Sequence, residues 1–173
     1  MMDLVVLTML LVAATVLQAG VPVYAFMGQA RPPLLLAVVL YYALNRDGVL
    51  WLAAALAAGV LQDALSEIPL GASVVAFAVA GHLAGRSSAL ITREHLLPHA
   101  LIGAAASAGT TAALYAVLRA GDRVGCSVGW ALLKTAWTAG WGLLIVPAVC
   151  LAADRLDAYA GNVDVWEDVT GLE

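Results

Sequence analysis

Six apolar runs, separated by short polar segments, are the feature that most constrains what this chain can fold into. They span residues 4–26, 33–45, 49–66, 70–85, 97–118 and 129–152. An α-helix needs roughly 20 apolar residues to cross the hydrocarbon layer of a membrane. Because 63% of the chain is hydrophobic and only 12% is charged, the runs leave no room for a separate water-soluble domain. We therefore predict an all-α, polytopic membrane helix bundle with six transmembrane helices, forming a single domain over residues 1–155.

The first two apolar runs differ from a straight helix that is long enough to cross the membrane. Gly20 and Pro22 lie inside the first run and predict a kink in its helix. Residues 33–45 would extend only about 20 Å as a helix, which is less than the roughly 30 Å hydrocarbon layer. Local thinning of the membrane, burial among neighbouring helices or extension at either end would each accommodate this second helix.

The charges indicate an orientation and exclude one class of ligand. The net charge is −4, and the basic residues are scattered singly, so nucleic-acid binding is excluded. A cytoplasmic N-terminus would put four arginines inside and three outside, namely Arg46, Arg86, Arg93 and Arg155 against Arg31, Arg119 and Arg123. The positive-inside rule therefore favours cytoplasmic N- and C-termini. Residues 156–173 are acidic and are predicted to form a flexible cytoplasmic tail.

Two ionisable residues fall inside the predicted spans, where an unpaired charge is costly. Asp63 lies about one turn before the end of the third span, and Lys134 lies about one turn after the start of the sixth. In a six-span topology both lie at a similar depth near the outer face. They can either pair with each other or reach the headgroups separately.

Small residues recur along three of the predicted helices. Ala55, Gly59 and Asp63 are spaced by four and define a groove that ends in a carboxylate, and Gly81 and Gly85 repeat the spacing in the fourth span. The fifth span adds Gly103, Ala105, Gly109 and Ala113. Such spacing is typical of closely packed membrane helices, so we predict close helix contacts along all three.

A stripe of large side chains runs along the sixth span. Trp130, Lys134, Trp137 and Trp141 lie within roughly 60° of one another on a helix. Tryptophans of an interfacial belt would lie only at the ends of a span. The stripe therefore predicts either core packing or a surface that contacts a partner helix.

No constellation of residues indicates catalysis or metal binding. His95 and His99 have helical spacing, but the pattern lacks the glutamate that follows the first histidine in zinc proteases. A serine hydrolase built from Asp63, Ser66 and His82 fails because His82 is predicted at the opposite end of its span. We predict that the protein is not an enzyme and has no cofactor and no metal.

The middle of the sequence resembles a known family. The similar segments are Arg-Pro-Pro-Leu-Leu-Leu at 31–36, Tyr-Ala-Leu at 42–44, Gly-Val-Leu-Gln-Asp-Ala-Leu-Ser at 59–66, Pro-Leu-Gly at 69–71 and Gly-His-Leu-Ala-Gly-Arg at 81–86. Their order and spacing resemble the bacterial rod shape-determining protein MreD family. The similarity covers about a third of the chain, and elsewhere only length, hydropathy and span count agree. His82 departs from the tyrosine usual in the family, and Glu67-Ile68 replaces a commoner glycine.

This resemblance implies a noncatalytic inner-membrane protein of the cell-elongation machinery. The implied partners are an MreC-like periplasmic scaffold, the MreB filament, and RodA with its penicillin-binding protein. It also implies a fold similar to the six-helix substrate-binding subunits of vitamin importers. The motif positions carried onto this chain are Asp63, Ser66, Pro69, Gly71, Gly81, Gly85 and Arg86.

Two functional hypotheses follow. The first is a membrane scaffold that regulates cell shape and peptidoglycan synthesis through protein–protein contacts. The second is a small-molecule (vitamin-like) binding subunit of a membrane importer, which would need a cavity with convergent polar groups. The candidates for such groups are Gln62, Asp63, Ser66, Ser73 and Lys134.

Overall fold

The described part of the chain is all α-helical. The computed structural model describes residues 2–22, 29–45, 49–66, 70–87, 96–121 and 127–159. Within them lie six helices: α1 (Met2–Gly20), α2 (Leu34–Asn45), α3 (Val49–Ser66), α4 (Ala72–Ser87), α5 (Leu96–Ala120) and α6 (Val128–Tyr159). The all-α prediction is confirmed.

The helix bounds differ most from the predicted spans at the two ends of the chain. Helix α1 ends at Gly20, whereas the predicted span continued to residue 26. Pro22 accounts for this, because proline disfavours helical geometry at the residue before it. At the other end α6 continues to Tyr159, beyond the predicted end at 152 and the predicted start of the tail at 156. Residues 152–159 include the charged Asp154, Arg155 and Asp157 but contain no glycine or proline, so nothing in them terminates a helix.

Helix α2 is the centre of the bundle. Its residues from Leu35 to Tyr42 are all buried, and it contacts each of the other five helices. A helix that is apolar on every side is stable only where every side is shielded from water by protein or lipid. Of the three possibilities open for the short second helix, burial among its neighbours is the one that the structure shows.

The outside of the bundle is apolar as well. Helix α1 buries one face through Val6, Leu10 and Ala14 and exposes Met9 and Val16 on another. Within the described residues three helices are long and apolar enough to cross a membrane, namely Val49–Ser66, Leu97–Ala120 and Val128–Leu156. Leu4–Gly20 and Leu34–Asn45 are apolar but shorter. Large exposed apolar faces and spanning-length helices indicate a membrane protein.

Helices α5 and α6 make the most extensive contact in the described part of the bundle. A Cβ placed on Gly103 would lie 2.5 Å from the Gly142 carbonyl oxygen, and one placed on Gly142 would overlap the Ser107 hydroxyl. Only glycine fits at either position. The other small residues predicted to mediate contacts of this helix, Ala105, Gly109 and Ala113, are exposed instead. That prediction was wrong for these three because they lie on the face of α5 that turns away from α6.

Candidate functional site

Six helix termini meet at one end of the bundle, which we call the cavity end. Residues near the C-termini of α1, α3 and α5 and near the N-termini of α2, α4 and α6 lie there, since they bond to one another or line one cavity. Helix N-termini carry unpaired N–H groups, and those buried within the protein cannot bond to water. These groups therefore need acceptors from the protein itself.

Asp63 supplies the acceptor for α4. Its Oδ2 accepts a hydrogen bond from the Gly71 N–H at 2.7 Å, and its Oδ1 accepts one from the Ser73 N–H at 3.0 Å. Gly71 directly precedes α4 with φ 101° and has no side chain to cap the helix, so a carboxylate from the preceding helix takes that role. Asp63 is only 1% exposed. Two charge-assisted hydrogen bonds and the positive end of the helix dipole offset the cost of burying its charge.

Gln18 supplies the hydrogen-bond acceptor for the N-terminus of α2. The Leu35 N–H in the first turn of α2 donates to Gln18 Oε1 at 3.3 Å. Gln18 Nε2 donates to Gln62 Oε1 at 2.6 Å, and Gln62 Nε2 donates to Ser66 Oγ at 2.8 Å. This polar chain links α1, α2 and α3 at the cavity end. The proline at the start of α2, Pro33, has no N–H and so reduces the number of donors that need a partner.

Glycines set the spacing of α4 from its neighbours. A Cβ on Gly59 would lie 2.5 Å from Val74 Cα, so the backbones of α3 and α4 touch one turn away from Asp63. Farther along α4, a Cβ on Gly81 would lie 3.3 Å from the Trp51 ring, and one on Gly85 would lie 3.1 Å from the Ala43 carbonyl oxygen. The groove predicted for α3 and the repeated small residues of α4 are both observed.

A cavity of about 660 Å³ opens among the helices at the cavity end. Its described lining comes from all six helices and the segment before α2: Gln18, Gln29, Arg31, Pro32, Pro33, Leu36, Gln62, Leu65, Ser66, Phe77, Thr110, Thr111, Leu114, Tyr115, Leu118, Trp130, Ala131, Lys134 and Thr138. Arg31 Nη1 donates to the Leu65 carbonyl oxygen at 3.3 Å, which holds the guanidinium against the C-terminus of α3. The volume is typical of small-molecule sites, which are about 300–1,000 Å³.

The two ionisable residues predicted to share a depth have different surroundings. Asp63 contacts the N-terminus of α4 and does not line the cavity, whereas Lys134 lines it. Because both oxygens of Asp63 accept backbone hydrogen bonds, its burial is explained without Lys134. Their pairing stays a prediction.

The tryptophan stripe lies mostly on the surface. Trp130 and Trp137 are each 39% exposed, and Trp141 is half-buried. Trp130 also lines the cavity beside Lys134. The sequence left core packing and a partner-helix surface open for this stripe. In the described part of α6, Trp130 and Trp137 are not packed in the core.

The remaining motif residues lie away from the cavity or outside the described residues. Arg86 is exposed in the last turn of α4, where a cation interacts favourably with the helix dipole. His82 packs against Trp51 with ring centroids 6.4 Å apart. Pro69 and His95 lie outside the described residues, and the described residues hold no group of three metal-ligating side chains.

Sequence reasoning missed Gln18 and did not assign Arg31 to a cavity. Gln18 is 2% exposed within an otherwise apolar helix, and a glutamine there is itself a signal of an internal hydrogen bond. Arg31 was predicted only as an outer charge. Its position over the end of α3 depends on how the segment before α2 folds back, which no local pattern specifies.

Comparison with known protein families gives a match. The family described as rod shape-determining protein MreD matches residues 1–129. No curated protein and no solved structure gives a match.

Proposed function

Because this chain belongs to the MreD family of rod shape-determining proteins, we propose that it acts as a noncatalytic inner-membrane component of the cell-elongation (rod) complex. In this role it regulates cell shape and peptidoglycan synthesis through protein–protein contacts. The observation that carries the proposal is the family match, which covers three quarters of the chain. The alternation of helix directions and the apolar outer surface support a protein that works within the membrane.

The proposed topology has six membrane crossings with both termini in the cytoplasm. Helix α2 is short, but its burial on all sides means that its neighbours, not α2, contact the lipid. In this orientation the cavity end faces the periplasm, and the exposed Arg86 lies on the cytoplasmic side. The proposed domain covers residues 1–155, followed by an acidic tail over 156–173 whose first residues extend α6. The fold is proposed to be similar to that of six-helix vitamin-importer subunits.

The proposed partners are an MreC-like periplasmic scaffold, the MreB filament, and the RodA and penicillin-binding protein pair. Trp137 marks the surface that we assign to a partner helix. A large, rigid aromatic side chain that is partly exposed is typical of the residues that dominate binding energy at interfaces. Asp63, Ser66, Gly71, Gly81 and Gly85 are assigned a structural role instead, in the packing and capping of α3 and α4.

The first prediction tests the partner surface. Trp137→Ala should reduce co-purification of the MreC-like scaffold from native membranes in mild detergent by about tenfold, the loss expected for an interface anchor. Leu132→Ala is the matched control, because Leu132 is exposed on the same helix but lies about 140° away. Equal recovery of the scaffold with both variants would contradict the assignment of this face.

The cavity favours a second candidate function, that of a small-molecule binding subunit of an importer. Mass spectrometry of everything that co-purifies with the wild-type protein separates the two candidates. Enrichment of cell-elongation proteins supports the first, and enrichment of an ATP-driven transporter module supports the second.

A further inference from the structure

The seam between α5 and α6 changes from closed to open toward the cavity end. Where it is closed, a Cβ on Gly142 would overlap the hydroxyl of Ser107, and Ser107 is fully buried. The two helices are antiparallel, so one turn farther toward the cavity end Thr111 lies opposite Thr138. Both of these threonines line the cavity, and so do the pairs that follow them along the seam, Tyr115 with Lys134 and Leu118 with Ala131. The seam therefore forms one wall of the cavity, which begins at the two threonines.

Three threonines of this wall present hydrogen-bond acceptors to the cavity. The Oγ1 atoms of Thr110, Thr111 and Thr138 each donate to the carbonyl oxygen four residues earlier in the same helix, at 2.7–2.8 Å. A threonine hydroxyl has one hydrogen and two lone pairs, so its remaining capacity is that of an acceptor. Within the described residues no hydrogen bond is donated to these three oxygens. Thr110 and Thr138 are only 7% and 8% exposed, and buried acceptors of this kind need a donor.

The lining favours a neutral donor that can also accept a hydrogen bond. None of the described lining residues carries a carboxylate, so an ammonium group would be partly buried without a counter-charge, which is costly. Gln62 lines the same cavity, and within the described residues its Nε2 donates only to Ser66 Oγ, which leaves its second N–H as a donor. A hydroxyl group both donates and accepts without carrying a charge. Hydroxyl groups therefore match this part of the lining.

The rest of the lining includes a large apolar surface. Leu36, Leu65, Phe77, Leu114 and Leu118 line the same cavity. Its volume of about 660 Å³ exceeds by many times the roughly 30 Å³ that one water molecule occupies in the liquid. Water would satisfy the threonines but would leave the apolar surface hydrated, which costs free energy in proportion to its area. An occupant that suits both parts of the lining has hydroxyl groups on one side and hydrocarbon on the other.

We propose that this cavity is a binding site for a neutral, hydroxyl-bearing small molecule. Its hydroxyl groups bond to Thr110, Thr111 and Thr138, and its hydrocarbon part packs against the leucines and Phe77. The lining reaches Ser66, the last residue of α3, so the cavity lies toward the aqueous phase and we assign the hydroxyls to a free molecule. The hydroxyl head of a membrane lipid shares this chemistry and is the alternative source. The inference goes beyond the proposed role in cell elongation, because it rests on the hydrogen bonding of the lining alone.

The experiment measures binding of phenylethylene glycol to the purified full chain in a neutral detergent, by saturation-transfer NMR and by the shift in unfolding temperature. Its dimethyl ether is the control compound, because it keeps the carbon skeleton but has no hydrogen to donate. Dioleoylglycerol is the lipid probe. We expect the glycol to bind saturably and its dimethyl ether to bind at least about tenfold more weakly.

Threonine-to-valine variants test the site, because valine has nearly the same shape and no hydroxyl. We expect Thr111→Val and Thr138→Val each to weaken binding of the glycol by about three- to tenfold, the effect of losing one hydrogen bond. Thr138→Ser keeps the hydroxyl and should retain binding. Thr135→Val is the matched control, because Thr135 also donates to the carbonyl oxygen four residues earlier, at 2.8 Å, but is not among the described residues that line the cavity.

The outcomes separate the site from its alternatives. If Thr138→Val fails to fold, Thr111→Val decides alone, since Thr111 is half-buried. Binding of dioleoylglycerol without binding of the glycol would overturn the free molecule as the source. Equal affinity of the glycol for Thr111→Val and Thr135→Val, equal affinity of the glycol and its ether, or no binding of any probe would overturn the site. None of these results depends on which proteins co-purify with the chain.

Discussion

At the scale of single residues, the polar side chains inside this protein act mainly on helix ends. Asp63 and Gln18 each accept hydrogen bonds from the first turn of the next helix. At an exposed helix end water replaces a missing cap, but an N–H buried without an acceptor costs roughly 1–3 kcal/mol. Asp63, which the sequence predicted either to pair with Lys134 or to reach the headgroups, thus also caps a neighbouring helix.

Removing the Asp63 cap should therefore destabilise the protein. We expect Asp63→Ala to lower the free energy of unfolding by roughly 1–3 kcal/mol, because two buried N–H groups lose their acceptor. Asp63→Asn keeps one acceptor oxygen and should cost less. The measurement is unfolding in detergent micelles followed by tryptophan fluorescence.

Asp154→Ala is the control for this prediction, because Asp154 is an exposed acid on α6 and should change stability by no more than about 0.5 kcal/mol. If Asp63→Ala lowers the free energy of unfolding no more than Asp154→Ala does, the cap contributes nothing to stability.

At the scale of helices, two pairs are held at backbone contact. Gly59 places α3 against α4, and Gly103 with Gly142 places α5 against α6. Association of helices in a membrane depends on van der Waals packing, since lipid removes the hydrophobic driving force. The position of each glycine, and not the number of glycines, therefore decides which faces meet.

Gly59→Ala should separate α3 from α4. The added Cβ would lie 2.5 Å from Val74 Cα, and backbone cannot rotate away as a side chain can, so we expect a loss of about 1–3 kcal/mol of stability. Gly109→Ala makes the same chemical change at a position on α5 where nothing lies within 4 Å of the added Cβ. It should be neutral or stabilising by up to about 1 kcal/mol, since alanine favours helix over glycine.

Thermal unfolding of the two variants side by side in the same detergent measures the difference. A Gly59→Ala protein as stable as Gly109→Ala would mean that α3 and α4 adjust their spacing freely.

At the scale of the whole molecule, one buried helix organises five others around it, and the cavity opens at a single end. The cavity end collects the C-termini of α1, α3 and α5, so its side of the membrane follows from the orientation of α1. In the proposed topology α5 crosses the membrane once between Ser87 and Ser127. These two residues are therefore expected on opposite sides.

Cysteine labelling in intact cells tests this arrangement. In a Cys126→Ser background, Ser127→Cys should react with a membrane-impermeant maleimide from outside, whereas Ser87→Cys should react only after the cells are permeabilised. The remaining native thiol, Cys150, is buried and should stay unlabelled. Labelling of both engineered positions from the same side would contradict the proposed crossings, and the reverse pattern would place the cavity end in the cytoplasm.

The sequence alone determined the all-α class and the number of apolar runs. It also placed both ends of four of the six helices to within two residues. These features depend on local hydropathy and on helix breakers, both of which can be read along the chain. Local signals were also sufficient for the groove at Gly59 and the repeat at Gly81 and Gly85. The family resemblance, based on residues 31–86, is confirmed by a match that extends over residues 1–129.

Only the tertiary structure decided what Asp63, Gln18 and Arg31 contact. The partners of Gln18 lie 17 and 44 residues away in the chain, and Arg31 donates to a carbonyl 34 residues away. Hydropathy shows that a polar residue inside a helix needs a partner, but it does not identify that partner. Which face of α5 packs against α6, and the cavity that forms where six helix ends meet, likewise depend on how whole helices pack and are not encoded in any single segment.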